Sequence, residues 1–349
     1  MTTAVREGTP SGRVAMKHAL SEAWSASLDE YVTALSVSPD GKLAAFGTGA
    51  GEVCIFDAES GKIRSRTLAH EGGVLTLDWS PKGRVLASAG QDGFARLHGA
   101  DGASVAQLPG SEWVEHVSWS PDGERLATSS GRVARIWTAA GAPELETEPH
   151  ESTVTGLAWN RRGTELATAC YGGVRLFSLA SRTSMRHLPW RGSLISLAWS
   201  PNGAVIACGT QESSVHFWRV ASGRDSEMSG FPSKPRALAW SSDGKLLATG
   251  GDITVTVWSF EGKGPEGKAP TVLVGHQALC TALAFHPRQP RLASGSDDTG
   301  VLVWDPRTSK TPVGFGFLEE TVTVLAWTAG GRLLIGADAV GTVRAWGIN

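Results

Sequence analysis

The chain has 349 residues and a mass of 36.6 kDa, enough for several ordinary domains or one large repetitive one. Lys plus Arg total 32 and Asp plus Glu total 34, a formal net charge of −2 that excludes a dominantly basic nucleic-acid binder. An apolar fraction of 41% with 19% charged residues excludes a disordered polyampholyte, and 43 glycines beside only 17 prolines point to many tight turns.

In chain order, the first ten residues, Met1-Thr-Thr-Ala-Val-Arg-Glu-Gly-Thr-Pro10, contain no apolar h-region. No secretory leader is therefore expected. Residues 1–12 are expected to form a mobile tail. No apolar run approaches the 18 residues of a membrane span. Cys54, Cys170, Cys208 and Cys280 are scattered, with no CxxC pair. That usage fits a reducing compartment, so the expectation is a cytoplasmic protein.

A spare segment follows at Ser21-Glu-Ala-Trp-Ser-Ala-Ser27, and then a repeat begins. Its marks are Val37-Ser-Pro-Asp-Gly41, Trp79-Ser-Pro-Lys-Gly83, Trp119-Ser-Pro-Asp-Gly123 and Trp159-Asn-Arg-Arg-Gly163. They continue at Trp199-Ser-Pro-Asn-Gly203, Trp240-Ser-Ser-Asp-Gly244, Phe285-His-Pro-Arg288 and Trp327-Thr-Ala-Gly-Gly331. The eight copies are spaced by 42, 40, 40, 40, 41, 45 and 42 residues. Within a copy, an alternating strand (Val74–Trp79) meets a Pro/Gly turn, and a second strand (Val85–Ser88) meets a Gly/Asp turn. A third strand ends in an aromatic, as in Val133–Trp137, and a weaker fourth strand follows. Short strands at this spacing predict an all-β fold, and four antiparallel strands per unit of about 40 residues predict one propeller blade each.

Residues 21–349 resemble the WD-40 repeat family of β-propellers. The seventh copy carries the resemblance best, with Gly275-His276, Leu292-Ala-Ser-Gly-Ser296, Asp297-Asp298 and Val301-Leu-Val-Trp304-Asp305. The resemblance implies a structural tetrad of His276, Ser294, Asp298 and Trp304. The second copy keeps His70, Ser88 and Asp92 but has His98 at the Trp place. The fourth keeps His150 and Thr168 and has Phe177. Elsewhere the His place is Leu28, Gly110, Trp190, Phe231 or Leu318, so packing must replace the tetrad. Eleven of the 14 tryptophans fall in two columns that fill space between blades: Trp79, Trp119, Trp159, Trp199, Trp240 and Trp327 in the first strand, and Trp137, Trp218, Trp258, Trp304 and Trp346 in the third.

The last copy ends at Trp346-Gly-Ile-Asn349 without a fourth strand. Residues 21–27 are expected to supply it, with Trp24 packed in the joint, because closure hides the open edges of a ring. The prediction is a single eight-bladed propeller domain over residues 13–349.

Other motifs carry less. Gly262-Lys-Gly-Pro-Glu-Gly267 matches a phosphate-loop pattern, but Ala269-Pro270 leads into a strand rather than the helix such a loop needs, so a surface turn is expected. His70-Glu71 and His150-Glu151 lack a second His at i+4, and the 9 His and 4 Cys share no ligand spacing, so no metal is expected. No G-x-S-x-G elbow occurs. The lack of a leader and of vicinal cysteines argues against the eight-bladed quinoprotein enzymes. Arg96, Arg135, Arg175 and Arg344 form a third-strand column whose stems are expected to pack between blades rather than to bind nucleic acid.

The loops between blades and those between second and third strands should share one face with the channel mouth, and in families like this one protein partners dock there. The residues just before the first strands are Tyr31, Gly73, Trp113, Thr153, Ser193, Lys234, Leu279 and Thr321. Tyr31 and Trp113 are candidate anchors. Asp29, Glu30, Glu71, Glu112, Glu115, Glu151, Glu319 and Glu320 would form an acidic arc, with Arg191, Lys234 and Arg236 on the basic side. The arc is suited to a basic, partly apolar peptide. Trp190 and Phe231, in the His column, are read as core. The expectation is a non-catalytic protein-interaction scaffold, monomeric by itself, with no cofactor, nucleic acid or membrane. The alternatives are a small-molecule binder or enzyme using the central channel, which would show titratable groups converging there, and a structural subunit of a larger assembly.

Overall fold

The computed structural model describes residues 2–4 and 18–348. Most of the stretch read as a tail, residues 1 and 5–12, lies outside them. Thr2–Ala4 run parallel to Asp225–Ser229, with Thr2 opposite Glu227 and Ala4 opposite Ser229.

The turn chemistry of the repeat sets the strand ends. In Ser38-Pro-Asp-Gly41, Ser38 Oγ donates to Asp40 Oδ1 (2.7 Å) and Gly41 N–H donates to Ser38 O (2.8 Å). Gly41 adopts φ +71°, which a side chain would oppose. Ser120–Asp122, Ser200–Asn202 and Ser241–Asp243 repeat the Ser-to-Asx bond. Each turn joins the first strand of a blade to the second.

Blade 1 comprises Val32–Val37, Leu43–Thr48, Glu52–Asp57 and Ile63–Leu68. Blade 2 comprises Val74–Trp79, Val85–Gly90, Phe94–Gly99 and Ser104–Pro109. Blade 3 follows with Val114–Trp119, Arg125–Ser130, Val133–Thr138 and Pro143–Glu146. In blade 4, Gly156–Trp159 pairs with Glu165–Ser178, one continuous run that supplies the second and third strands, and Thr183–Ser193 is its outer strand. Blade 5 is Ala198–Trp199, Val205–Gly209, Val215–Arg219 and Asp225–Ser229. Blade 6 is Leu238–Trp240, Leu246–Thr249, Thr254–Ser259 and Thr271–Val274. Blade 7 is Cys280–Phe285, Leu292–Ser296, Gly300–Trp304 and Gly314–Phe317. Blade 8 is Val322–Trp327, Leu333–Asp338 and Thr342–Gly347, completed by Ser21–Ser27 as its fourth strand. Every pairing within a blade is antiparallel, and no helix occurs among the described residues.

The eight-bladed ring is closed by the N-terminal strand. Ser27 lies opposite Thr342 and Ser21 opposite Gly347. Trp24 is buried in the joint, donates Nε1–H to Ala58 O in blade 1 (2.9 Å) and stacks on Phe56 with centroids 6.2 Å apart. Gly61 makes room for it, since a Cβ there would lie 2.6 Å from the indole. The core is divided accordingly. Among the described residues, eight buried apolar clusters lie one between each pair of adjacent blades, the first joining Phe46 and Phe56 of blade 1 to Ile335 and Val343 of blade 8.

Of the two tryptophan columns, nine side chains are buried and Trp199 and Trp240 are half-buried. First-strand indoles also bridge blades. Trp119, Trp159, Trp240 and Trp327 donate Nε1–H to the carbonyls of Asp78, Ser118, Ala198 and Ala284 in the preceding blade, at 3.2, 2.9, 3.2 and 3.0 Å. Innermost strands have no neighbour on the channel side, so these bonds satisfy carbonyls that would otherwise need water.

Three first-strand boundaries differ from expectation, one of them at Thr153, which lies three residues before Gly156. Ser193 belongs to the outer strand of blade 4, paired with Tyr171, and Lys234 lies four residues before Leu238. Pro232 and Pro235 remove backbone donors from the approach to blade 6, which delays its pairing.

Candidate functional site

His276, Ser294, Asp298 and Trp304 form one hydrogen-bonded chain. His276 Nδ1 lies 3.2 Å from the Asp298 carboxylate, His276 Nε2 is 2.7 Å from Ser294 Oγ, and Trp304 Nε1–H donates to Ser294 Oγ at 2.8 Å. Burial raises the Asp298 pKa, but bonds from His276 and the Gln277 N–H outweigh it and hold the carboxyl below the usual range. This set stitches the loop before blade 7 to its second and third strands, so its role is structural. In blade 2, His98 replaces the indole, with Nε2 2.8 Å from Ser88 Oγ, while His70 bridges Ser88 (2.8 Å) and Asp92 (2.9 Å). An imidazole serves because Ser88 Oγ can donate or accept. Burial, then the charges of His70 and Arg96, lower the His98 pKa to about 4. In blade 4 the Arg132 carbonyl replaces the aspartate, 2.9 Å from His150 Nδ1. Blade 5 substitutes a ring stack, Trp190 on His216 at 3.8 Å and His216 edge-on to Trp218 at 4.5 Å. Trp190 is half-buried and Phe231 buried.

Backbone bonds fix the loop-rich face. Each interblade loop is tied to the second-to-third-strand hairpin of the blade it enters: Gly49 N–H to Tyr31 O (2.8 Å), Gln91 N–H to Gly73 O (3.1 Å), Asp297 N–H to Leu279 O (3.0 Å) and Ala339 N–H to Thr321 O (3.1 Å). In blade 3 the tie is a side chain, with Ser130 Oγ accepting from Ser111 N–H (3.0 Å) and Glu112 N–H (2.8 Å). Both loop sets therefore lie on one rigid face.

On that face Trp113 is 53% and Tyr31 44% exposed, and Tyr171, Leu279 and Val340 add exposed apolar surface. The Tyr31 ring lies against Gly49, and the Glu112 carboxylate lies over Gly131. Glu30 Oε1 accepts from Tyr31 N–H (2.9 Å). Glu71 is exposed beside Asp92, which accepts its backbone N–H (3.3 Å). Glu151 is drawn out of the arc, paired with Arg175 at 2.6 Å. Arg191 is exposed near the end of the outer strand of blade 4 rather than on blade 5, and Lys234 and Arg236 are exposed ahead of blade 6. The structure thus sets Tyr31, Glu30, Glu71, Trp113 and Glu112 in the loops of blades 1–3, and Arg191 and Lys234 apart from them.

The arginine column is neutralised rather than free. Arg96, Arg135, Arg175 and Arg344 pair with Asp92, Glu146, Glu151 and Glu22 at 2.6, 2.7, 2.6 and 3.1 Å. Residues 262–267 form a turn with Gly262, Gly264 and Gly267 at positive φ, leading into Thr271–Val274. No group of three His, Cys, Asp or Glu that could hold a metal occurs among the described residues. No helix there is long and apolar enough to cross a membrane. All four cysteines are free and buried.

Two carboxyls on the inner strands have raised pKa values: Asp78, which no motif singles out, and Glu115 of the acidic arc. Asp78 is half-buried and accepts the Trp119 N–H at 2.7 Å. Burial raises its pKa to about 7 against that bond. Burial, then the charge of Glu112, raise Glu115 to about 7 against a bond from Gly131 N–H. His116 beside it falls to about 4 through burial, partly offset by its bond to the Thr155 carbonyl. An alternating strand pattern marks Asp78 only as polar; its surroundings come from the neighbouring blade. Asp78→Asn keeps an acceptor for Trp119. The unfolded carboxyl ionises near pH 4 and the folded one near 7, so the cost of charging Asp78 grows between those values and is constant above. The variant is expected to melt above wild type at pH 8, with the gap narrowing toward pH 5. A gap independent of pH would refute the assignment.

Similarity to known proteins decides the family. The model described as WD domain, G-beta repeat matches residues 62–98, 102–138, 141–178, 183–219, 226–259 and 267–305, more than half of the chain. The chain belongs to the WD40 repeat family. Residues 13–74 also match the Anaphase-promoting complex subunit 4 WD40 domain. Similar curated proteins include a subunit of Chromatin assembly factor 1 of Mus musculus, 28% identical over 130 residues (30% of this chain, 23% of that protein). Protein HIR1 of Mycosarcoma maydis is 31% identical over 141 residues (38% and 13%). THO complex subunit 3 of Arabidopsis thaliana is 29% identical over 112 residues (32% and 36%). The matched stretches span from about a tenth to about a third of the curated relatives' own lengths. Among solved structures, the computationally designed Ika8 protein superposes with TM-score 0.80 at 20% identity, over 95% of this chain and 100% of that one, which shows the fold.

Proposed function

We propose that this WD40 propeller is a non-catalytic scaffold that docks a protein partner on its loop-rich face, around Trp113 and Tyr31. The observation that carries the reading is the exposure of these two aromatics on loops held rigid by backbone ties, while the column tryptophans are buried or half-buried. Large aromatics on a rigid frame lose little entropy on binding and are favoured anchors. Relatives whose names denote subunits of a chromatin assembly factor and a THO complex support the coarse reading. Four free, buried cysteines favour a reducing, cytoplasmic setting. We take the protein to be monomeric by itself and to bind neither nucleic acid nor membrane, in keeping with the paired arginine column.

The test is a tagged pull-down from host lysate comparing wild type with Trp113→Ala plus Tyr31→Ala. Both side chains are about half exposed, so the double variant is expected to melt within about 2 °C of wild type. A partner lost only from the variant supports the site, and one retained by both removes it.

A channel ligand is the second reading, favoured by the raised Asp78 and Glu115 carboxyls on inner strands. Against it, Asp78 and His116 already hold backbone partners in the next blade, at Trp119 and Thr155. A thermal-shift screen of metabolites against wild type and Asp78→Asn separates the two.

A further inference from the structure

The carboxylates differ in how they are satisfied. Glu52, Glu124, Glu144, Glu146 and Glu266, and Glu151 on the loop-rich face, each lie within 3.0 Å of a Lys or Arg nitrogen. On the face, Glu30, Glu71, Glu112, Glu115, Glu319 and Glu320 have no ion-pair partner among the described residues. Within this set the Glu112-Trp113-Val-Glu115 segment stands apart. Ser130 Oγ holds its loop from both sides, accepting from Glu112 N–H (2.8 Å) and donating to Glu112 O (3.0 Å). Glu115 Oε2 is shielded from solvent and has no hydrogen-bond partner among the described residues. Glu112 adds like charge to Glu115, which alone is unfavourable. A cation brought by a partner to the exposed Glu112 carboxylate would relieve that repulsion.

We propose that this segment anchors a basic, extended stretch of the protein partner, one lysine or arginine of which pairs with the exposed Glu112 carboxylate, beside the charge of Glu115, while its methylene stem lies on the exposed Trp113 indole. The argument is charge complementarity on an exposed aromatic surface. Long cationic side chains carry an apolar stem and a charged head, so indole and carboxylate are matched by one residue. The inference rests on the docking reading of this face and adds the chemistry of the occupant.

The probe is a fluorescein-labelled peptide of alternating Ala and Lys, compared with its Ala-Gln counterpart by fluorescence polarisation on the full chain. Wild type is expected to bind the lysine peptide at least about tenfold more tightly, and Glu115→Gln and Glu112→Gln each to lose most of that preference. Glu112 lies in a loop, so its variant is informative even if Glu115→Gln lowers the melt. Glu59→Gln, on the turn after the third strand of blade 1 and hence the opposite face, is expected to bind as wild type does. Equal binding of the two peptides, full binding by both carboxamide variants, or an equal loss in Glu59→Gln overturns the proposal. The pull-down separates its failure from that of the scaffold reading. A partner lost with Trp113→Ala plus Tyr31→Ala but kept by Glu112→Gln plus Glu115→Gln leaves the face and removes the cation anchor. A partner kept by both removes the face itself.

Discussion

A chain truncated to begin at residue 29 is expected to melt at least roughly 10 °C below wild type and to aggregate on heating. The deletion removes the fourth strand of blade 8 and unpairs Thr342–Gly347, whose Val343, Ala345 and Trp346 are buried. It also removes Trp24 and the fully buried Leu28, which fill the layer between blades 8 and 1. A newly open strand edge beside exposed apolar surface is a template for pairing with other chains. Phe46 and Phe56 of blade 1 keep Ile335 and Val343 of blade 8, but the strand and the indole that seal that layer are gone. Trp24→Ala isolates the packing part. It deletes a buried indole and its bond to Ala58 O, a change that costs about 3–5 kcal/mol in a core. Differential scanning calorimetry of the two variants checks the ranking. An unaltered melt in the truncated chain would mean that the shared blade contributes nothing.

Ser294→Ala in blade 7 is expected to cost about 2–4 kcal/mol although it removes a single oxygen. Ser294 is fully buried and is the hub of the tetrad, accepting from Trp304 Nε1–H at 2.8 Å and bonding His276 Nε2 at 2.7 Å. Its loss leaves two buried polar nitrogens without partners, each at the desolvation cost of about 1–3 kcal/mol. The effect should be local in origin, because the chain continues to Asp298 and the Gln277 N–H (2.6 Å) and so fixes the loop before blade 7. Hydrogen exchange should therefore quicken first in that loop and in the hairpin around Asp298. Pairing Ser294→Ala with His276→Phe removes both polar partners of one bond and should recover part of the loss. Urea denaturation of the single and double variants measures it. A single variant as stable as wild type would show that the tetrad is not a unit.

Acid should act through the same columns. Burial lowers the folded pKa of His70, His98, His116, His150, His216 and His286. A histidine held neutral contributes stability above its unfolded pKa of about 6.5, and that stability is lost as pH falls toward the folded value. Asp78 and Glu115 oppose this, since their raised values favour the folded state as pH falls from about 7 toward 4.

The number of blades and their joint at the chain ends are legible in the order of amino acids alone. Eight turn marks at a near-constant step set the unit, and the strand pattern needs only neighbours in sequence to be recognised. Trp24 can be placed because the last copy lacks a fourth strand and the spare segment at residues 21–27 stands just before the first blade. The tetrad of blade 7 is legible for the same reason, each member having its own position in the repeat. The substitutes elsewhere are legible only in part. His98 can be placed at the indole's position from the repeat, and it does meet Ser88, but that Trp190 stacks on His216 and that the Arg132 carbonyl stands in for an aspartate depend on side-chain rotamers meeting across strands. The fate of the charges is decided by tertiary structure alone. Glu151 and Glu71 hold equivalent places in the repeat, each just after the blade's His, yet Glu151 is neutralised by Arg175 from the third strand while Glu71 has no ion-pair partner among the described residues. Asp78 and Glu115 acquire raised pKa values because blade-on-blade packing removes water from around them. Repeat spacing is local information along the chain, whereas the surroundings of Asp78 come from Trp119, one blade over, and the pairing of Glu151 with Arg175 from two strands that folding brings together.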